Sequence, residues 1–246
     1  MIQAVCIKQV ADTETRVKVA ADGKTLDPAG VTWILNPYDE FAIEQALRVK
    51  EQVGAGEVIV ISLGGAGVQA VLRNALAMGA DRAMHLKADT PLIDGFAAAH
   101  ALSLEVKALN PDLVWFGRQA VDDDAAQVGP RVAEALGLPC VTAIASFTLA
   151  DGKATVERDI EGGREVVEVT LPACLTTDKG LNEPRYASLK GIMAAKKKPL
   201  EEKPAALGEG GLEVLSLALP PARSAGKKVE SVEELVRVLR EEAKVL

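Results

Sequence analysis

Polar segments follow three of the apolar, strand-like runs in this sequence, and each could contact a ligand. They are Lys8-Gln9-Val10 and Asn36-Pro37-Tyr38-Asp39-Glu40 after residues 2–7, Gly64-Gly65-Ala66-Gly67 after residues 57–63, and Gly117-Arg118-Gln119-Ala120-Val121-Asp122-Asp123-Asp124 after residues 112–117. Small residues let backbone N–H groups approach an anion at the start of a helix. The segments therefore suit the recognition of a phosphate-bearing ligand.

Each of these segments alone has a simpler interpretation. A Gly-rich turn is more often only a turn, and Asp122 to Asp124 could simply cap a helix and complement its dipole. Three acids could also bind a divalent metal, but further oxygen ligands are not evident, so we do not expect one. The informative point is that all the segments fall at the carboxyl ends of predicted parallel strands, where open α/β sheets bind ligands. Together they predict a polar crevice of nucleotide size.

The sequence offers little that could catalyse a reaction. It has two histidines, His85 and His100, and neither has a nearby Cys, Asp or Glu at metal-ligand spacing. Three cysteines, Cys6, Cys140 and Cys174, are isolated in apolar surroundings, which is typical of small buried side chains in a reducing compartment. The nucleophile elbow, the P-loop and the Cys-x-x-Cys motif are all missing. We expect neither a catalytic site nor a metal site.

Strand-like and helix-like segments alternate through the first two-thirds of the chain. Short apolar runs predict strands at residues 2–7, 57–63, 83–87 and 112–117, and helical patterns lie at residues 38–50, 68–78, 93–109 and about 125–136. This alternation indicates a mostly parallel sheet that is covered by helices on both faces. The candidate segments would then share one edge of that sheet.

The pattern changes in the last third. Strand-like runs at residues 141–149, 153–159 and 164–170 are divided by Asp-Gly and Gly-Gly, which favours an antiparallel meander on the sheet edge or an arm that leaves the domain. Residues 181–198 predict a long ordered loop that enters a short helix. Residues 199–228, with several Pro and Gly, predict an extended tail. Ser231-Val232-Glu233-Glu234 is a capping box that opens a last amphipathic helix. That helix must fold back or lie on another subunit.

Composition restricts the class of protein. The formal net charge of −7 and the aromatic fraction of 3% argue against nucleic-acid binding, which needs a basic face or stacking platforms. No stretch approaches the roughly 20 apolar residues of a membrane span, and no basic-then-apolar leader opens the chain. We expect a cytoplasmic protein that neither spans a membrane nor binds nucleic acid.

Four segments, read together, resemble the beta subunits of electron transfer flavoproteins over essentially the whole chain. They are Asn36 to Glu40, Ala75 to Ala83 (ALAMGADRA), Gly117 to Asp124, and Leu181 to Lys198 (LNEPRYASLKGIMAAKKK). The last run is long and irregular, so it is the most specific. The resemblance implies an adenine nucleotide alpha hydrolase-like fold: a three-layer α/β sandwich with a mostly parallel sheet, an antiparallel extension, and a C-terminal arm with a terminal helix.

The resemblance also implies an electron carrier rather than an enzyme. In that family a larger alpha subunit holds most of the FAD, and the beta subunit buries an AMP thought to be structural. The heterodimer takes electrons from dehydrogenases such as acyl-CoA dehydrogenases and passes them on, often towards a membrane quinone reductase. The implied AMP contacts are Cys6, Asn36, Pro37, Tyr38, Asp39, Leu63, Gly117, Arg118, Gln119, Ala120, Val121, Asp122, Asp123, Asp124, Ala125, Ala126, Gln127 and Val128, with Cys6 and Leu63 contributing backbone atoms.

Two further roles follow from the resemblance. The segment around Arg158-Asp159 would lie near the flavin ring; Asp159 departs from the Glu of some relatives, so its own role there is left open. Residues 184–198 would form a recognition loop that grips the dehydrogenase, with Leu189 as its apolar anchor beside Tyr186, Ile192 and Met193. Lys196 to Lys198 would steer an acidic partner. Residues 1–198 would then be the nucleotide-binding domain, and residues 199–246 an arm that packs on the partner subunit.

Several alternatives remain open from the sequence. Some relatives bifurcate electrons and bind a second FAD in place of AMP. Asp123 and Ala125 favour AMP, whereas Ala126-Gln127-Val128-Gly129-Pro130 looks like the bifurcating group. An adenine-nucleotide-using α/β enzyme, such as an ATP pyrophosphatase or ligase, would want a Ser-Gly-Gly-x-Asp-Ser loop where this chain has Lys8 to Asp12. A nucleotide-sensing module would need neither the recognition loop nor the arm.

Overall fold

The computed structural model describes residues 1–90, 94–223 and 225–246. The strands are β1 (Ile2–Ile7), β2 (Gln9–Ala11), β3 (Trp33–Leu35), β4 (Glu57–Gly64), β5 (Arg82–Lys87), β6 (Leu113–Gly117), β7 (Cys140–Ala150), β8 (Lys153–Ile160), β9 (Gly163–Thr170), β10 (Ala173–Thr177) and β11 (Leu200–Pro204). The helices are α1 (Pro37–Val53), α2 (Val68–Met78), α3 (Gly95–Leu109), α4 (Val128–Leu136), α5 (Leu189–Ala195) and α6 (Val232–Glu241). The alternation of strands and helices predicted for the first two-thirds of the chain is confirmed.

The main sheet is mostly parallel. Among the described residues it has nine strands in the order β11-β5-β4-β1-β6-β10-β7-β8-β9, and β2 pairs with β3 in a separate antiparallel hairpin. The central strand β1 pairs in parallel with β4 on one side and β6 on the other. After β1, the chain adds β4 and β5 on one side of that strand and then β6 on its other side. Strand order therefore reverses between β1 and β6.

Helices cover both faces of the sheet. Alternate residues of β1 point to opposite sides, so Val5 joins a core cluster with Ile43 of α1 and Leu72 of α2, whereas Ala4 joins another with Leu102 of α3. Each fully buried Leu or Ile side chain contributes about 1.5–3 kcal/mol relative to exposure. The two apolar clusters make the fold the expected three-layer α/β sandwich.

The antiparallel meander lies on the edge of the same sheet. β7, β8 and β9 pair antiparallel in sequence order, which matches the first of the two predicted arrangements. β7 is joined to the rest of the sheet through β10, a buried strand that the sequence analysis missed. Cys174 of β10 is the Cα partner of Cys140 in β7. Two of the cysteines are thus neighbours rather than isolated, and Cys140 is only half-buried.

The boundaries of two helices differ from the prediction. α3 begins at Gly95 behind Asp94, whose side chain accepts hydrogen bonds from the N–H groups of Phe96 and Ala97. Ile93, the predicted first residue of that helix, lies outside the described residues. α4 begins at Val128 rather than near Ala125, so the acids at 122–124 lie before the helix and do not cap it.

The extended tail predicted for residues 199–228 is partly wrong. Leu200 to Pro204 form β11, which pairs in parallel with β5 and closes the other edge of the sheet. Pro204 is tolerated because this is an edge strand. Beyond it, the chain runs over the start of α3, where Asp94 Oδ2 accepts N–H groups from Gly211 (2.6 Å) and Leu212 (3.2 Å).

The last helix begins as the capping box predicts. Ser231 Oγ accepts a hydrogen bond from the Glu234 N–H at 3.1 Å, which satisfies one of the free donors at the start of α6. None of the described residues of α6 is buried. Across the described parts of the chain, no helix is long and apolar enough to cross a membrane.

Candidate functional site

The candidate segments meet at one edge of the sheet, as predicted. Lys8, Gly64 and Gly117 stand at or just past the carboxyl ends of the adjacent parallel strands β1, β4 and β6. The reversal of strand order between β1 and β6 opens a crevice at this edge in α/β sheets. Side-chain hydrogen bonds connect the segments after β1 to the loop after β6, and Gln9 connects them to the turn after β4.

Asn36 joins the start of α1 to the loop after β6. Asn36 is only 1% exposed. Its side chain donates from Nδ2 to Asp39 Oδ1 at 2.9 Å and to the Gln119 carbonyl at 2.9 Å. Its Oδ1 accepts the Val121 N–H at 3.2 Å. Asn36 does not cap α1 by a side-chain bond, although it precedes that helix. Its amide is instead used to fix the backbone of residues 119–121.

Asp39 completes the same junction from the first turn of α1. Its buried carboxylate accepts the Lys8 N–H at 2.7 Å and the Gly117 N–H at 3.1 Å, besides the Asn36 amide. Burial raises the pKa of Asp39 to about 7, while the hydrogen bonds from Asn36, Lys8 and Gly117 act in the opposite direction. These three hydrogen bonds let Asp39 hold the end of β1 and the end of β6 against the start of α1.

Gly117 is required by how closely the two loops approach. A Cβ at this residue would lie 2.3 Å from Asp39 Oδ1 and 2.8 Å from the backbone carbon of Tyr38. Behind it, Thr177 at the end of β10 donates from its buried hydroxyl towards the carbonyls of Tyr38 and Phe116, both at 3.1 Å. Sequence reasoning missed Thr177 because it missed β10. The only signal was the short apolar run after Pro172.

The loop from residue 118 to 127 presents acids and backbone at the surface. Lys8 Nζ contacts Asp122 Oδ1 at 2.8 Å and Asp123 Oδ2 at 3.4 Å. Gln119 Nε2 donates to Asp124 Oδ1 at 2.6 Å. Asp124 and Ala126 adopt positive φ values of 50° and 53°, a conformation that is uncommon outside glycine. The loop thus has a defined, irregular backbone path before it enters α4.

The other candidate residues take different positions. Cys6 and Leu63 lie near the carboxyl ends of β1 and β4 and pack in the α3–α4 layer. Burial, and secondarily Asp39, raises the pKa of the Cys6 thiol far above its ordinary value. Arg118 Nη1 forms an ion pair with Asp178 Oδ2 at 2.7 Å. Gln127 Oε1 accepts a hydrogen bond from Arg131 Nη2 at 3.0 Å. The remaining residues are Pro37 and Tyr38 in the first turn of α1, Ala120 and Ala125 in the loop, and Val128 at the start of α4.

The Gly-rich turn after β4 is closed by its own hydrogen bonds. The N–H groups of Val68, Gln69 and Ala70 donate to the carbonyls of residues 65–67. Gln9 Nε2 donates to the Gly67 carbonyl at 2.9 Å. The N–H groups of the first three residues of α2 are therefore already paired within the protein. The turn lies where an anion contact was expected, but these N–H groups are not free to make it.

Two surface cavities flank α2. One, of about 330 Å³, lies between α2, β3 and the start of α1. The other, of about 490 Å³, lies between α2 and α5. Neither is lined by residues 117–128. The loop after β6 therefore borders neither of these two cavities.

Residues 184–198 carry an exposed apolar surface. Tyr186 is 98% exposed and Leu189 is 78% exposed, and Ile192 and Met193 are also exposed. Leu189, Ile192 and Met193 follow one another at helical spacing on α5, so they share one face. The structure thus presents all four predicted docking residues to solvent.

The antiparallel hairpin carries a charged surface. Arg158 forms an ion pair with Glu165 and donates to Thr142 Oγ1 at 3.2 Å. Arg164 contacts Asp159 at 2.9 Å and Glu157 at 3.1 Å. These cross-strand pairs set the positions of Arg158 and Asp159.

His85 connects three strands of the main sheet. His85 is fully buried, with Nε2 2.9 Å from the Gly64 carbonyl and Nδ1 3.2 Å from Glu202 Oε2. Through these two contacts, His85 on β5 is linked to β4 and to β11. Within the part of the chain that is described, no group of three or more His, Cys, Asp or Glu side chains could hold a metal ion.

Comparisons with known proteins place these features in context. Residues 24–207 match the family described as the electron transfer flavoprotein domain. The chain is 46% identical to an electron transfer flavoprotein subunit beta of Syntrophomonas wolfei, over 94% of this chain and 90% of that protein. It is 42% identical to the human protein of the same name, over 96% of each chain, and 41% identical to that of Bacillus subtilis, over 98% of each.

Proposed function

The chain belongs to the family of electron transfer flavoprotein beta subunits, and from that premise we propose that it is the beta subunit of an electron-carrying heterodimer. In this proposal a larger alpha subunit holds most of the FAD. The heterodimer accepts electrons from a dehydrogenase, such as an acyl-CoA dehydrogenase, and passes them to a quinone reductase or another acceptor. In this proposal the chain is an electron-carrier subunit, and the redox chemistry belongs to the flavin.

The observation that carries the proposal is the exposed face of α5. Tyr186, Leu189, Ile192 and Met193 present apolar surface to solvent on a segment that is otherwise tied down by hydrogen bonds. An apolar anchor of this kind provides much of the energy of a small interface. A carrier that must bind and leave quickly needs such a compact contact, because its association is transient.

We further propose that the loop after β6 binds AMP. The residues that would hold it are residues 36–39 and 117–128, with backbone atoms of Cys6 and Leu63. Supporting this, the loop enters the start of α4, whose dipole favours a phosphate, and Lys8 lies beside it. The amide of Asn36 and the carboxylate of Asp39 are used to hold the loop, so contacts to the nucleotide fall mainly to backbone groups.

The flavin, when bound, supplies the redox chemistry. This chain's part is to position the hairpin residues Arg158 and Asp159 beside it. The cross-strand ion pairs of Arg158 and Arg164 support this role, because they hold the hairpin surface in one arrangement.

The C-terminal arm is proposed to lie on the alpha subunit. α6 has exposed Val232, Leu235 and Val236 on one side, and none of its described residues is buried. An amphipathic helix without a core contact is stabilised mainly by packing its apolar face. We therefore assign the arm after β11 to the interface between subunits, and the sheet with its helices to the nucleotide-binding domain.

Co-purification tests the proposal. The chain is expressed with its alpha subunit, and the complex is examined by visible spectroscopy and by identification of the nucleotides released on denaturation. We expect a yellow heterodimer that releases FAD and AMP. Release of FAD alone, at two per heterodimer, would instead support the bifurcating type that Ala126 to Pro130 resemble. A colourless chain that turns over ATP by itself would overturn the proposal.

A further inference from the structure

The docking loop, residues 184–198, is fastened to α1 near its start by Arg185. Arg185 Nε lies 2.7 Å from Glu44 Oε2, and its Nη2 lies 3.1 Å from Glu44 Oε1. Its Nη1 and Nη2 lie 2.6 and 3.1 Å from the two oxygens of Glu51. Both carboxylates belong to α1 and stand about two turns apart, so a single guanidinium spans that length of the helix.

Glu44 is an unusual partner because it is buried. Its side chain is 3% exposed, and it also accepts from Arg48 Nε at 2.7 Å. Burial raises the pKa of Glu44, but the hydrogen bonds from Arg185 and Arg48 outweigh that effect and hold it below its ordinary value. Without Arg185, this buried carboxylate would keep only Arg48 as a cationic partner, and removing one partner of a buried charge is costly. Glu44 therefore favours the arrangement in which Arg185 is in place.

The far end of the loop is fastened independently. Arg73 Nη1 donates to the carbonyls of Ala195 at 2.7 Å and Lys198 at 2.9 Å. A Cβ at Gly191 would lie 2.4 Å from the Ala77 carbonyl oxygen, so α5 lies directly against the backbone of α2. These contacts hold α5 but do not reach the residues that precede it.

Tyr186 follows Arg185 immediately, and Leu189 begins α5 three residues later. Arg185 is thus the charged contact that directly precedes the exposed residues of the loop, and Ala187 between them packs on the core. We propose that Arg185 is a positioning residue, whose grip on Glu44 and Glu51 holds Tyr186 and Leu189 in the orientation that a dehydrogenase binds. This inference rests on the proposed function, in which the loop docks on an electron donor. Fixing a binding segment beforehand lowers the cost of ordering it on association.

The chemistry of the contact makes the proposal specific to arginine. A guanidinium presents several donors in a planar fork that can engage two carboxylates at once, whereas an ammonium is a single point charge. Lysine at this position would keep the charge and lose the geometry. The conservative substitution therefore separates orientation from electrostatic attraction.

The test compares Arg185→Met and Arg185→Lys with the unchanged heterodimer. The measurements are the Kd for an acyl-CoA dehydrogenase, the KM for the carrier and kcat, with flavin content determined for each preparation. We expect Arg185→Met to raise Kd and KM by about fivefold to tenfold with kcat within about twofold, since only the docking step is affected. Arg185→Lys should reverse less than half of the rise in Kd and KM.

Two further variants make the outcome decisive. Lys203→Met removes a cation that contacts Glu105 and Glu201 away from the docking loop, and it should leave Kd unchanged. Glu51→Gln removes only the exposed carboxylate and should raise Kd by about twofold to threefold, even if Arg185→Met does not fold.

The possible failures can be told apart. Unchanged Kd and KM in Arg185→Met, or in Glu51→Gln where the first variant does not fold, would overturn the positioning role. If Leu189→Ala still weakened binding in that case, the docking function would stand. If the unchanged heterodimer accepted electrons from none of the dehydrogenases offered, the proposed function would fail first.

Discussion

At the residue scale, the candidate site depends on polar groups that serve one another. Asn36, Asp39 and the N–H groups of Lys8 and Gly117 form a closed set of hydrogen bonds that joins two loops. Asn36, Asp39 and Gly117 were predicted as contacts of a nucleotide, and their hydrogen bonds to one another were not predicted. Their partners could not be inferred, because Asn36 and Val121 are 85 residues apart in the chain. The sequence shows polar residues at the correct sheet edge and does not show which of them face each other.

Gly117→Ala tests the close approach of these loops. The added Cβ would meet Asp39 Oδ1 at 2.3 Å, so α1 or the loop must shift. We expect the free energy of unfolding to fall by about 1–3 kcal/mol and nucleotide retention to fall with it. Chemical denaturation of the heterodimer measures the first quantity. Gly65→Ala is the control, because nothing lies within 4 Å of a Cβ there; equal stability of the two variants would contradict the role of Gly117.

Asp39 predicts a pH dependence of stability. Its pKa is raised from 3.8 to about 7 on folding, so the native state binds more protons than the unfolded state between these values. The stabilising contribution is complete below about pH 4 and is lost as pH rises through about 7. We expect the free energy of unfolding to carry a negative slope against pH in this window. Asp39→Asn should remove that slope, and Asp151→Asn, in an exposed turn, should retain it. An identical slope in all three proteins would show that Asp39 does not titrate there.

At the element scale, the sequence predicted the strands and helices that carry a strong local pattern. β1 and β4 are continuous apolar runs, and α2 has its period framed by glycines, so their bounds were predicted closely. β10 and β11 were missed because each is short and is a strand only through pairing with a distant one: β10 with β6, and β11 with β5. The short helix predicted within residues 181–198 is confirmed as α5. The contact of Arg185 with Glu44 could not be predicted, since these residues are 141 residues apart.

Leu189→Ala tests the role of α5 as a docking element. Removing the exposed side chain deletes the apolar anchor and leaves the contacts that hold the loop intact. We expect slower reduction by an acyl-CoA dehydrogenase at sub-saturating carrier, by about tenfold, with FAD content and AMP binding unchanged. Leu104→Ala is the matched control, because Leu104 is also an exposed leucine but lies on α3. An unaltered rate in Leu189→Ala would remove this residue from the anchor role.

At the scale of the whole molecule, the chain combines a packed sheet with an arm that is exposed along most of its length. The two core clusters lie between the helices and the sheet, whereas residues after β11 are mainly exposed. This asymmetry is what the proposed heterodimer requires, because the exposed arm would gain its contacts from the alpha subunit.

Leu235→Asp tests the assignment of the arm. Leu235 lies on the apolar side of α6, and a carboxylate there would be buried without a partner if that side packs on the alpha subunit. We expect the Kd of the heterodimer to rise by at least about tenfold, measured by sedimentation at several concentrations. Glu241→Gln on the same helix should leave it within about twofold. Equal affinities would place α6 outside the interface.

The most direct measurement is the transfer of electrons to the assembled protein. The heterodimer is mixed anaerobically with an acyl-CoA dehydrogenase and its acyl-CoA substrate, and the visible absorbance of the bound flavin is followed. The account predicts that this absorbance bleaches at a rate that rises with dehydrogenase concentration and slows in Leu189→Ala. A flavin that stays oxidised with every acyl-CoA dehydrogenase offered, or a complex that holds no flavin, would contradict it.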